Sequence, residues 1–232
     1  MCWSLQASAA LTAAGTAGVA AGVCRKQPKA LVITLGYFTL MEAIQAFTYP
    51  VIDACGASMN QVLTILGFIH IAFQPFFINM VMMYFIPKER RKKISLTVNV
   101  LCGFAAVVTL LQLYPFAWAR SCIQSVPLCG SPLCSVSGQW HLAWNIPLNG
   151  LMNMLRPMPF MGLPGYFLIG LVLPFLYGSW RANLFHIVLG PLLAYLLTNS
   201  LNEAGAVWCT FSIALLLSLV GEKPIRKYLH TT

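Results

Sequence analysis

Apolar residues run along this chain in long blocks separated by short polar breaks. A block of about 17 to 25 residues is long enough to cross a bilayer as a helix. Seven such blocks can be read, roughly at 4–23, 30–50, 62–86, 95–116, 164–180, 182–200 and 204–221. They predict an all-α, polytopic membrane protein, a single seven-transmembrane-helix bundle over residues 1–232, with little chain left for a separate soluble domain. One connection is long, about 117–162, and a connection of that length in a compact protein is either functional or a lid.

Composition agrees with the pattern. With 59% hydrophobic and 8% charged residues over 232 positions, there is too little polar surface to cover a soluble globule of this size. Charge then tests the count of spans, because Lys and Arg gather in short cytoplasmic connections. Arg25, Lys26 and Lys29 follow the first span; Lys88, Arg90, Arg91, Lys92 and Lys93 follow the third; Arg181 follows the fifth; Lys223, Arg226 and Lys227 follow the seventh. Only Arg120 and Arg156 fall in the other set of connections. The expected arrangement is N-terminus out and C-terminus in, in a plasma or inner membrane. The net charge of +9 is an orientation signal and an attraction to anionic membrane lipid, and it does not imply nucleic acid.

The first span has no basic residues before its apolar run, so it reads as a retained helix and not as a cleaved signal. Ala14, Gly18 and Gly22 give it a small-residue face that admits close approach of another helix. That face serves packing within the bundle or self-association through Gly18 and Gly22. Cys55, Cys122, Cys129 and Cys134 fall in the outer connections, where thiols oxidise to disulfides. Four cysteines allow three pairings, which sequence does not separate.

The polar residues inside apolar blocks are the candidate chemistry. "YFTLMEAIQAFTYP" carries Glu42 and Gln45 at a separation of three, and "GFIHIAFQP" carries His70 and Gln74 at a separation of four, so each pair shares a helix face. A charged side chain at the bilayer centre costs roughly 2.5 to 3.5 kcal/mol on insertion scales, and such residues face the bundle interior, pair together or line a wet cavity. Helical rise sets Glu42 roughly 3 Å and His70 roughly 6 Å outside the midplane, so a Glu42–His70 site is expected. His186, in "NLFHIVLGP", falls roughly 7 Å inside the midplane by the same arithmetic. In the long connection, "WHLAWNIPLNGLMNMLRPMPF" places His141, Asn145, Asn149 and Asn153 at steps of four, a polar stripe if helical, interrupted near Pro147. With Trp140 and Trp144 beside it, the segment reads as interfacial or re-entrant at the outer rim.

Three functions follow. In the leading one, His70, His141 and His186 hold zinc or another divalent metal, Glu42 and His70 act in catalysis, and a lipid-like ester or amide is hydrolysed. Gln45, Gln74, Trp140, Trp144 and Asn145 would contact that substrate. In the second, Glu42 and His70 form the relay of a proton- or ion-coupled carrier or channel. In the third, the polar pair fixes helix packing and the protein binds a ligand or partner without catalysis.

Seven spans with an outer N-terminus resemble retinal proteins, but all seven lysines lie in loops or tails, so no retinal Schiff base forms in the bundle. The arrangement also resembles the alkaline ceramidase and progestin-receptor-like membrane hydrolases, seven-span proteins with an intramembrane zinc on three histidines, and that likeness implies the enzyme reading with His70 as an early-span ligand. The chain departs from them in span seven, "AVWCTFSIALLLSLV", which has no His-x-x-x-His pair, and in lacking an Asp among the early spans.

Overall fold

The computed structural model describes residues 3–123, 126–155 and 164–231. Cys2 and Arg156 lie outside the described residues. The protein is mostly helical: α1 Leu5–Cys24, α2 Lys29–Thr48, α3 Ser58–Tyr84, α4 Lys88–Leu111, α5 Gly165–Leu176, α6 Trp180–Leu197, α7 Leu201–Gly221 and α8 Lys223–Leu229. Among the described residues, α1 to α4, α6 and α7 are long and apolar enough to cross a membrane, and α5 is a shorter apolar helix.

Helix limits follow local chemistry. Pro28 and Pro87 stand just before α2 and α4, where the missing N–H is harmless. The basic run Lys88–Lys93 is helical and belongs to α4, which ends at Leu111 and not near 116. Its long side chains carry charge away from the apolar body of the helix, so the hydropathy of the run conceals a helix start. Similarly, α3 starts at Ser58, four residues before its apolar block.

Burial separates centre from periphery. In α3, 61% of the most apolar stretch is buried, against 17% in α1 and 28% in α4. Leu96, Val100, Phe104, Val107 and Leu111 form an exposed stripe along α4, and Ile33, Leu40 and Phe47 another along α2. Such stripes suit lipid contact. The small face of α1 is used inside the chain: a Cβ on Gly15 would collide with Thr39 Oγ1 and one on Gly18 with Leu217, and on Gly22 it would stand 2.8 Å from Val32. These glycines let α1 approach α2 and α7.

Three helices depart from regular geometry. Pro75 lies inside α3, and α5 and α6 contain π-helical turns at Leu168–Val172 and Val188–Leu192, the second of which includes Pro191. A proline within a helix removes a donor and crowds the preceding turn, and a widened turn relieves the crowding. Side-chain amides take up backbone carbonyls there: Asn79 donates to Pro75 at 2.9 Å and to Ile169 at 2.8 Å, and Asn183 to Leu171 at 2.6 Å.

The long connection folds into a cap at one end of the bundle. Its steps-of-four polar stripe does not form one helix: Asn153 lies in a short 3-10 helix, Gly150–Leu155, while Cys134–Ser137 (β1) and Leu142–Asn145 (β2) form an antiparallel hairpin in which Cys134 faces Asn145 and Ser137 faces Leu142. The helical reading fails because Leu142, Ala143 and Trp144 are all buried, which puts successive residues, and so both strand faces, against protein. Trp144 packs against the backbone of Gly67 in α3 and Gly205 in α7. Disulfides Cys55–Cys134 and Cys122–Cys129 close the cap. At the opposite, basic end, Thr231 donates to the Phe85 carbonyl at 3.0 Å, Ser179 to Met82 at 2.8 Å and Arg181 to Tyr228 at 3.3 Å.

Candidate functional site

The buried polar side chains of α3 are satisfied. Asn60 exchanges hydrogen bonds with the Ser135 backbone at 2.8 and 2.9 Å, and Thr64 meets Ser135 Oγ at 2.8 Å. His70 Nε2 lies 2.8 Å from the Tyr37 carbonyl and its Nδ1 3.2 Å from Gln74 Nε2, with the ring stacked on Tyr37. Gln74 also accepts from Tyr166 Oη at 2.5 Å. The structure therefore does not pair His70 with Glu42. His70 meets α2 at Tyr37, five residues before Glu42 and so about 7.5 Å along the axis.

Glu42 is paired from the cap instead. Its carboxylate is fully buried, and Oε1 lies 3.2 Å from Trp3 Nε1 and 3.9 Å from His141 Nε2. Trp3 also donates to Ser8 at 2.9 Å and stacks on His141. His141 Nδ1 accepts the Leu142 N–H at 2.8 Å and lies 3.3 Å from Tyr49 Oη. Four buried atoms here have no hydrogen-bond partner: Glu42 Oε2, His141 Nε2 and both amide atoms of Gln45, one turn beyond Glu42.

Glu203, in the first turn of α7, holds His141 in place. Its carboxylate accepts the N–H groups of Gln139 at 3.1 Å, of Trp140, and of His141 at 2.5 Å, and the Thr198 hydroxyl at 2.6 Å. An acid at a helix start is favoured by the helix dipole, which is the local sequence signal; nothing local says that it would gather the backbone of residues 139–141.

The three histidines expected to share a metal do not converge. His70 has both nitrogens engaged within the bundle, His141 belongs to the cap, and His186 stands beside Trp208 with ring centroids 5.5 Å apart. Among the described residues no three of His, Cys, Asp and Glu form a group that could hold a metal ion. His186 Nδ1 and Trp208 Nε1 are buried without partners.

A cavity of about 390 Å³ opens between α3, α5, α6 and α7, roofed by Pro127 and Leu128 of the cap. Its walls are almost wholly apolar, with Ile71, Phe167, Leu171, Leu192 and Ala204 prominent and Gln74, Tyr166, Tyr195 and Trp208 as the groups with polar atoms. Both π-turns contribute, through Leu171 and through Pro191 and Leu192. Of the residues expected to contact substrate, Gln74 lines this cavity. Gln45 lies beside Glu42 in sequence, Trp140 binds Glu203, Trp144 is packed between Gly67 and Gly205, and Asn145 accepts from Asn202 at 3.1 Å. Tyr166 and Trp208 were not singled out by sequence reasoning, because an aromatic in an apolar block carries no mark of which wall it faces.

The model of a family described as a family of unknown function (DUF5765) matches residues 6–230. The chain belongs to that family. Comparison with the curated proteins and with the solved structures gives no match.

Proposed function

We propose that this DUF5765 member is a seven-helix integral membrane protein that binds a lipid-like small molecule in the cavity between α3, α5, α6 and α7. Its N-terminus and disulfide-bonded cap face the outer, oxidising side, and its basic end faces inward. The alternation of basic residues supports that orientation. The chain's two ends support the odd number of crossings, since Trp3 bonds to the cap and Thr231 to the Phe85 carbonyl at the basic end. By length, α5 covers about 18 Å, less than a hydrocarbon core of about 30 Å.

The observation that carries the reading is the cavity. Its volume is in the range of small-molecule sites, about 300 to 1,000 Å³, and an apolar wall with a few polar groups is their usual character. Embedded among membrane helices, it draws its occupant from the lipid phase. Metal-dependent hydrolysis has less support, because the histidines are dispersed and His70 is spent on hydrogen bonds.

Binding of a fluorescent polyene C18 fatty acid to the purified protein, followed by energy transfer from tryptophan, tests the proposal. Ala204→Phe fills the cavity and is expected to weaken binding at least about tenfold, or 1.4 kcal/mol. Leu196→Phe places similar bulk on the exposed face of α6 and is expected to leave binding unchanged. Equal affinity in parent and Ala204→Phe overturns the reading.

A further inference from the structure

Among the described residues, Glu42 is the buried carboxylate with an oxygen, Oε2, that has no hydrogen-bond partner, and its setting accounts for what could complete it. We infer that Glu42 and His141 form a proton-transfer pair, a site whose ligand is a proton supplied from the cap end. This inference is independent of the cavity and its occupant.

The tautomer follows from the hydrogen bonds. Because His141 Nδ1 accepts the Leu142 N–H, the neutral imidazole carries its hydrogen on Nε2. Nε2 is the nitrogen that faces Glu42 Oε1, at 3.9 Å. Among the described residues this is the one carboxylate within 4.0 Å of a basic side chain, so no Lys or Arg neutralises Glu42. A buried carboxylate without a fixed cation is costly, and a proton is the smallest cation that relieves it. Oε2 is free to take one, and Gln45 adds an unpaired donor and an unpaired acceptor a turn away.

The surrounding groups are few. The N-terminal segment and α1 present Trp3 and Ser8, the end of α2 presents Tyr49, and α7 presents the Cys209 thiol and Glu203, both close enough for charge coupling within this cluster. The Glu203 carboxylate is already occupied by the backbone of residues 139–141 and by Thr198. No titratable side chain of α3 is hydrogen-bonded to either member of the pair. Tyr49 Oη, buried and 3.3 Å from Nδ1, is the next group toward the cap end.

The transfer balances as a relay. The Nε2–H bond breaks as an O–H bond forms on Glu42; Nδ1 gains the Tyr49 hydroxyl proton, and Tyr49 is re-protonated from solvent. The ring then holds its hydrogen on Nδ1, opposed to the Leu142 N–H, which makes this tautomer the less stable one and favours return of the ring to its starting form.

Infrared difference spectroscopy of the full chain in lipid, titrated between about pH 4 and 10 to cover the carboxyl and imidazole ranges, tests the pair. A protonated-carboxyl C=O band that responds to pH is expected in the parent. It should disappear in Glu42→Gln, persist in Glu89→Gln at an exposed carboxylate of α4, and shift its midpoint by about one pH unit or more in His141→Gln. If Glu42→Gln does not fold, Glu42→Asp is expected to move the band's frequency instead. A parent without a pH-responsive band, a band unchanged by the Glu42 substitution, or a midpoint indifferent to His141→Gln overturns the inference.

Discussion

Glu203 and His141 are 62 residues apart in sequence and joined by a 2.5 Å hydrogen bond from the His141 amide to the Glu203 carboxylate. A side chain at the start of α7 therefore fixes the backbone from which the His141 imidazole reaches Glu42 in α2. One carboxylate organises the cap, and the other receives what the cap delivers.

Removing that organiser should loosen the cap. Glu203→Ala leaves the N–H groups of Gln139, Trp140 and His141 without their acceptor, and hydrogen bonds to a charged group are worth about 1.5 to 3 kcal/mol each when removed singly. Thermal unfolding in detergent is expected to show a loss of about 3 kcal/mol, with faster amide exchange over residues 134–145. Unchanged exchange there would mean that the disulfides alone hold the cap.

The two disulfides should contribute unequally. Cys55–Cys134 spans 79 residues and Cys122–Cys129 only 7, and constraint of the unfolded chain grows with loop length. A Cys55→Ser, Cys134→Ser double variant is expected to lose about 2 to 5 kcal/mol, more than the Cys122→Ser, Cys129→Ser pair. Chemical denaturation of the two double variants side by side makes the comparison.

The close approach of α1 gives a packing prediction. Gly15→Leu drives its side chain into Thr39, where even a Cβ has no room, and overpacking costs about 1 to 3 kcal/mol. Gly56→Ala, at a site with nothing within 4 Å of the added Cβ, is expected to be nearly neutral. Melting temperatures of the purified proteins check both.

Topology can be read with a membrane-impermeant maleimide. Cys24 is free and exposed at the basic end, whereas Cys102 and Cys209 are buried. In a Cys2→Ser background and sealed, right-side-out vesicles, Cys24 is expected to remain unlabelled until the membrane is permeabilised. Labelling of intact vesicles would reverse the proposed orientation.

What sequence makes legible is set by range. Apolar blocks locate the helices because hydrocarbon-length runs are a local property, and Glu42 declares itself as buried by standing within one. Its partner is not legible, because depth along an axis leaves the rotation of each helix open. Depth arithmetic brings His70 to Glu42, while the actual contact of His70 is with Tyr37, on the basic side of Glu42. The stripe of His141, Asn145, Asn149 and Asn153 misleads for a related reason. Spacing at four suits a helix, but Glu203 and the pairing of β1 with β2 supply the backbone partners that a helix would otherwise provide. The π-turns of α5 and α6 are marked by Pro174 and Pro191 only as disturbances; that both line one cavity depends on packing.

The Cys55–Cys134 bond turns α3, α4 and the chain around them into a covalently closed ring. A single proteolytic cut inside that ring leaves one molecule, which separates into fragments only on reduction. The same closure orders biogenesis: Cys55 emerges first and must wait as a thiol while two further helices are made, so oxidation of this pair cannot precede synthesis of the first half of the bundle.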